Sequence, residues 1–256
     1  MIALQEEQME KFKGNALQSF VVKMMQHSHE FSPYLCDVLG DKQLRYAVEE
    51  GIANAKKYGF TYKGSVQLYL DLTFMFGSYF DKDPLFNEFA VILHDDSNQM
   101  FRAEQIHILL NTYLEKVHGV KNQNINQALL SLIHLLESPF PQSKENFDVA
   151  IIKEFKAIFP QRAAYVGDDA LDEFIQIARG QAADFNLPPV SGTALMVVLM
   201  SAFGSGCTND KLYPWISKTL LDEKVQDTQT RVERLQRITL IWLKAVLKTE
   251  PLEQVT

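Results

Sequence analysis

Two apolar segments decide the fold: residues 66–78 read VQLYLDLTFMFGS, and residues 193–205 read TALMVVLMSAFGS. Each segment is apolar nearly all round a helix, which is typical of a helix that other helices surround. Each also ends in Phe-Gly-Ser, where Gly77 or Gly204 can adopt the left-handed conformation that terminates helices. The sequence therefore predicts two core helices, each terminated by a glycine.

The rest of the chain shows the same helical pattern. Apolar residues recur at steps of three and four, as from Met9 to Met24, and no comparable stretch alternates as a half-buried strand would. The prolines lie near proposed helix ends, where the ring is tolerated. We predict an all-α fold of about eleven helices, at roughly 4–29, 42–58, 65–77, 84–94, 101–118, 125–137, 147–158, 169–185, 192–203, 213–221 and 228–247.

The two core segments belong to a longer internal similarity. Residues 31–117 resemble residues 159–246, because matching residues recur at a constant spacing that shifts once by two residues. The pairs include Gly40-Asp41 with Gly167-Asp168, Asp83 with Asp210, and Tyr113 with Trp242. We therefore predict a tandem duplication of a unit of about five helices, forming two packed bundles. The predicted boundaries are 1–120 for the first repeat, 121–146 for a connector helix region and 147–256 for the second repeat.

Charge excludes one class of partner. The 256 residues contain 25 Lys plus Arg and 32 Asp plus Glu, which gives a formal net charge of −7. Binding of nucleic acid depends on a basic surface that releases counterions from the phosphates. The composition therefore predicts no nucleic-acid partner.

The compartment follows from the N-terminal residues and the apolar segments. MIALQEEQMEKFKGN places Glu6, Glu7 and Glu10 where a signal peptide needs a basic and then an apolar stretch. The most apolar segments are shorter than the ~20 residues that span a bilayer. Cys36 and Cys207 form no metal-binding or redox pair, so we expect buried free thiols. The sequence predicts a cytoplasmic protein without membrane insertion.

No motif of catalysis or cofactor binding is present. The two Glu-x-x-His segments, Glu104–His107 and Glu115–His118, resemble di-metal ligands, but along one helix they lie about 16 Å apart. His27-Ser-His29 places its imidazoles on different sides of a helix, and Asp81-Lys-Asp83 lacks the later ligands of a calcium loop. We therefore predict no catalytic, cofactor or metal site. A helical enzyme or small-ligand-binding protein that uses helix-end carboxylates and histidines stays open as the alternative.

Residues near the predicted helix ends form a candidate surface for a protein partner. Aromatic side chains can anchor a partner, and carboxylates suit a basic one, although aromatics can also fold back over a bundle and carboxylates can simply be solvated. The candidates are Tyr79, Phe80, Asp81, Asp95, Asp96, Asp168, Asp169, Tyr213 and Trp215.

One stretch resembles a known group of proteins. Residues 58–85, YGFTYKGSVQLYLDLTFMFGSYFDKDPL, are similar to a family of uncharacterised bacterial proteins, and YPWISKTL (213–220) and RVERLQRITLIWLKAVL (231–247) resemble the C-terminal part of its longer members. Members of this family are encoded with spike and effector genes of type VI secretion. The resemblance implies a non-enzymatic accessory protein that binds a secreted effector, either as chaperone or adaptor or as immunity protein. A subunit that only associates with itself is a further possibility.

Overall fold

The computed structural model describes residues 2–141 and 145–249, and over these residues the secondary structure is helical, without strands. The predicted all-α class and the number of helices are confirmed. The helices are α1 (Ile2–Phe31), α2 (Pro33–Lys57), α3 (Lys63–Phe76), α4 (Asn87–Leu93), α5 (Gln99–Tyr113), α6 (Gln123–Leu136), α7 (Phe147–Ile158), α8 (Pro160–Asp184), α9 (Ser191–Phe203), α10 (Pro214–Leu220) and α11 (Thr228–Thr249).

Helices α2 and α8 begin earlier than predicted and share an internal kink. Each has 25 residues and starts with a proline, whose fixed φ suits the first position of a helix. Each is interrupted at a glycine, Gly40 with φ 69° and ψ 159°, and Gly167 with φ 81° and ψ 173°. The predicted starts at 42 and 169 were wrong because they marked this kink, and the short helical segment before it was missed.

The same two helices also end alike. The Phe60 N–H donates to the Ala55 carbonyl at 3.0 Å, and the Leu187 N–H donates to the Ala182 carbonyl at 2.9 Å. The intervening left-handed residue is Gly59 in one helix and Asn186 in the other. Both ends therefore have the hydrogen bond of a Schellman motif, which satisfies carbonyls that the helix leaves free.

Two further helix ends differ from the prediction. The segment predicted as a helix from 84 starts with a 3₁₀ turn at Pro84–Phe86, before α4. Helix α5 stops at Tyr113 and continues as a π turn, Leu114–His118, which Gly119 terminates with φ 76°. The chain thus departs from regular α geometry just before α4 and just after α5.

The chain divides into two compact units, Met1–Met75 and Phe76–Thr256. This division falls at the end of α3, and the predicted repeat boundaries at 120 and 147 stay a prediction. In the first unit α1 packs on α2, and the buried side chains include Met24, Val48 and Leu70. No helix in the described part of the chain has the length and apolar character needed to cross a membrane.

The second unit is built around α9. All of its side chains except that of Ala202 are buried, as expected for a core helix. Helices α8 and α11 pack against it, α7 packs on α8, and α6 packs on α11. Cys207 in this unit is a buried free thiol, as predicted, and so is Cys36 in the first unit.

Candidate functional site

The two Phe-Gly-Ser segments meet inside the second unit. A Cβ atom added to Gly77 would lie 2.5 Å from the Phe203 carbonyl oxygen, and one added to Gly204 would clash with the Phe76 carbonyl oxygen. Both glycines have positive φ, 92° and 88°. Two backbones therefore approach so closely that only glycine fits, and we call this region, with the residues that bond across it, the loop junction.

Two aspartates exchange hydrogen bonds across the loop junction. Asp83 accepts from the Ser205 N–H at 2.8 Å, and Asp210 accepts from the Ser78 N–H at 2.7 Å and from its hydroxyl at 2.6 Å. Each aspartate uses its other bonds locally, Asp83 to the Leu85 N–H and Asp210 to the Leu212 N–H. Because Asp83 matches Asp210 and Ser78 matches Ser205 in the predicted repeats, the exchange is reciprocal.

Aromatic rings surround the junction in the same paired way. Phe76 lies 4.2 Å from Phe86 and 5.2 Å from Tyr113, measured between ring centroids. At the matching positions, the ring centroid of Phe203 lies 4.7 Å from that of Tyr213 and 5.0 Å from that of Trp242. Edge-to-face and offset rings at these distances stabilise a core beyond the area that they bury.

The aspartates of the loop junction are buried, and their carboxylate oxygens already accept hydrogen bonds. Burial raises the pKa of both Asp83 and Asp210, and the N–H groups bonded to them oppose that rise. Burial, followed by the two nearby carboxylates, also raises the pKa of the Cys207 thiol, which keeps it protonated and unreactive. These groups hold the loops together and offer no free nucleophile.

Beside the junction lies a groove of about 480 Å³, between residues 81–90 and residues 165–173 of α8. Its apolar floor includes half-buried Pro84 and Val166, together with Phe86 and Phe89, which are 5% exposed or less. Besides buried Asp83, the acidic side chains that line it are Asp81, Glu88, Asp169 and Glu173, and a lysine, Lys82, also lines it. We call this feature the acidic groove.

A tyrosine joins the two walls of the acidic groove. The Tyr165 hydroxyl on α8 donates to the Glu88 carboxylate on α4 at 2.5 Å. Burial, followed by this carboxylate, raises the pKa of Tyr165. Neither residue is among the predicted candidates. Glu88 lies one turn beyond Pro84 and could have been grouped with Asp81, but no sequence signal places Tyr165 opposite Glu88.

The structure separates the predicted acidic residues. Asp81 and Asp169 line the acidic groove, whereas the Asp168 carboxylate accepts from the Lys156 ammonium at 2.7 Å. Asp95 and Asp96 are exposed after α4 and do not line the groove, and Asp95 accepts from the Ser97 N–H at 2.8 Å. Of these five carboxylates, only those of Asp81 and Asp169 therefore line the acidic groove.

The predicted aromatic anchors are mostly in the interior. Phe80 is fully buried and Tyr213 is 5% exposed, so neither has a surface to offer, because these rings fold back over the bundle. The ring of Tyr79 packs on Gly206, and half-buried Trp215 contacts Phe203 with a centroid distance of 5.6 Å. We therefore remove Phe80 and Tyr213 from the candidate surface.

The histidines do not form a site with the acidic groove. His27 bonds Asp71 at 2.7 Å, His94 bonds the Ala90 carbonyl, and His107 bonds Asn111. Over residues 2–141 and 145–249, no three His, Cys, Asp or Glu side chains are arranged to hold a metal ion. The arrangement that the described side chains do form is a set of surface carboxylates above an apolar floor.

Comparisons of the chain with known proteins identify no relative. No family model matches the chain, and no curated protein or solved structure shows significant similarity to it. The geometry of the acidic groove therefore carries the functional argument.

Proposed function

We propose that this is a non-enzymatic accessory protein of the cytoplasm that binds a basic segment of a protein partner in the acidic groove. The partner that we propose is an antibacterial effector of a type VI secretion system, bound either for loading or for neutralisation. The acidic groove supports a basic protein partner, and the sequence resemblance of residues 58–85 supports the secretion system.

The combination of floor and walls in the acidic groove favours a peptide segment. Half-buried Pro84 and Val166 give a floor on which an apolar side chain can rest, and such contacts supply most of the free energy of binding. The carboxylates of Asp81, Asp169 and Glu173 attract and orient Lys or Arg on the same segment. A segment with basic residues around one apolar residue fits both features.

The proposed binding should depend on salt and on the sign of the groove's charge. Exposed ion pairs weaken once the Debye length falls to about 3 Å at 1 M salt. Binding that depends on the groove should therefore weaken strongly between 0.1 M and 1 M NaCl. Reversal of the charge at Asp169 and Glu173 should weaken it further, because two attractive contacts become repulsive.

The direct experiment is co-purification with the products of the neighbouring genes, followed by affinity measurement on the partner recovered. The double variant D169K/E173K should bind at least 10-fold more weakly than the unchanged protein. Its matched control is E104K/E115K, which makes the same change of charge at exposed residues of α5 and the π turn. Equal loss in both variants would show a general effect of charge and would contradict a specific groove.

The identity of the partner separates the remaining possibilities. Deletion of the gene of an immunity protein is toxic to the bacterium itself, whereas deletion of a loader abolishes delivery of the effector. Recovery of no effector, spike or other secretion protein would contradict the proposal. Light scattering then tests self-association, and a lone monomer would remove a purely self-associating subunit.

A further inference from the structure

The second unit contains a cavity of about 180 Å³, open to solvent on one side, among α6, α7, α9 and the residues Phe140 and Pro141. Its walls include Leu132, Phe140, Ile151, Phe155 and Val198, each 8% exposed or less. Protein interiors are normally close-packed, with few voids larger than a water molecule. A cavity of this size with such walls therefore needs an explanation.

Water is a poor occupant of this cavity. A buried water needs two to four polar partners, and an apolar cavity of about 150 Å³ stays dry and binds benzene. Among the described lining residues, the polar side chains are those of Ser201 and Glu154. The Ser201 hydroxyl already donates to the Val197 carbonyl at 2.6 Å, and Glu154 is exposed. The cavity thus offers apolar contact and little hydrogen bonding.

The corresponding place in the first predicted repeat holds a polar pair. His27 and Asp71 stand where the second repeat has Glu154 and Val198, and they are joined by a 2.7 Å hydrogen bond. A polar pair thus spans the space between α1 and α3 there. The second repeat has an exposed carboxylate, Glu154, and an apolar wall residue, Val198, at the matching positions, so no polar pair crosses its cavity.

We infer that this cavity is a binding site for a small apolar molecule, of about six to ten non-hydrogen atoms, whose polar end is uncharged or cationic. The volume is close to that of a cavity that holds one benzene ring. Glu154, together with Ala150 and Pro141, is an exposed member of the lining and marks the opening. A carboxylate on the ligand would be repelled there, whereas an amine would form an ion pair.

The test uses three probes with one phenyl ring and different ends: 2-phenylethylamine, 2-phenylethanol and phenylacetate. Calorimetry on the full chain should give dissociation constants of about 0.1–1 mM for the amine and the alcohol, and weaker binding of phenylacetate. Glu154→Gln should remove the preference for the amine over phenylacetate while leaving the affinity for the alcohol within about twofold.

Two substitutions that fill the cavity locate the binding. Ala194→Leu fills its buried part and Ala150→Leu its opening, and each should reduce the affinity at least 10-fold. Ala157→Leu is the matched control, because it adds the same atoms to an exposed position of α7 that does not line the cavity. If Ala194→Leu unfolds the chain, Ala150→Leu still decides the question.

Each outcome bears on the inference. Probe binding that Ala150→Leu abolishes and Ala157→Leu retains supports a site in this cavity. No saturable binding of any probe below about 10 mM overturns the site. Binding that survives both filling substitutions overturns its location, and equal binding of amine and phenylacetate overturns the selection by charge.

Discussion

The two predicted repeats agree around the loop junction and differ beside their core helices. At the junction, matching residues make matching contacts: Gly77 and Gly204 each face the other segment's backbone, and Asp83 and Asp210 each accept an N–H from it. Beside the core helices, one repeat has a polar pair between α1 and α3, and the other has an apolar cavity beside α9.

The difference follows from what each region demands of the chain. A contact between two backbones leaves no room for a side chain, so both copies require the same residue. A space between helix faces can be filled by any combination of side chains with suitable volume and polarity. The junction therefore preserves the relation between the repeats, and the helix faces are where new binding properties can arise.

The largest effect is expected from replacing the junction glycines. Gly77→Ala and Gly204→Ala should each lower the free energy of unfolding by about 3–5 kcal/mol, because a Cβ meets a backbone oxygen and φ is positive. The controls are Gly40→Ala and Gly167→Ala, where φ is also positive but no atom lies within 4 Å. Those substitutions should cost about 1–3 kcal/mol, measured by urea denaturation, because their φ and ψ lie in a region that only glycine adopts readily. A cost at Gly77 no greater than at Gly40 would contradict the close approach.

The next effect tests the exchanged hydrogen bonds. Asp210→Asn should cost about 2–3 kcal/mol. The amide NH₂ of asparagine would face an N–H group that now donates to the carboxylate, so that one hydrogen bond is lost. Asp83→Asn should cost a similar amount, since Asp83 likewise accepts from a local N–H and from the N–H and side chain of the serine across the junction. The double variant should cost less than the sum, because the first substitution already loosens the shared junction. Strict additivity would show that the two sets of bonds are independent.

Sequence reasoning predicted the helices well because helix ends have local signals. Pro84 after Asp83 and the glycine after each core helix specify their own backbone geometry: in the structure Asp83 caps the turn that Pro84 begins, and both glycines have positive φ. Gly40 and Gly167 misled the prediction for the same reason: a glycine signals a local break, and only tertiary packing decides whether helix continues before it.

The acidic groove was only partly predictable. Asp81 and Asp169 stand out as members of acidic segments, but the opposing walls come from parts of the chain about eighty residues apart. Nothing local to Tyr165 indicates that its hydroxyl meets Glu88. Phe80 has the same ambiguity, because an aromatic residue next to a loop can face solvent or the core, and here packing decides for the core.

A smaller effect, confined to acid pH, should come from a position where the repeats differ in charge. His118 is matched by buried Leu247, and burial, followed by nearby Arg162, lowers the pKa of His118 to about 4. The unfolded chain therefore binds more protons between pH 6.5 and 4, so His118 removes about 2–3 kcal/mol of stability as the pH falls through that range. His118→Leu should abolish this loss.

Denaturation of both proteins at pH 7 and pH 4 measures the effect as a difference. Asp83 and Asp210 act in the opposite direction, because a raised pKa in the folded state increases stability as the pH falls toward 3.8. They are present in both proteins and cancel from the comparison. An equal change with pH in the two proteins would contradict a buried neutral histidine.

The smallest effect tests whether residue volumes are balanced separately within each repeat. A Cβ on Gly51 would clash with the Leu70 side chain, and the second repeat has Ala178 and Val197 at the matching positions. Gly51→Ala alone should cost about 1–2 kcal/mol through overpacking, and Leu70→Val alone about 1 kcal/mol through a small cavity. Together they reproduce the residues of the second repeat, so each should relieve the other, with a favourable coupling of about 1–2 kcal/mol in a double-mutant cycle. Additive costs would mean that the backbones of α2 and α3 set this volume and that the match with the second repeat is coincidental.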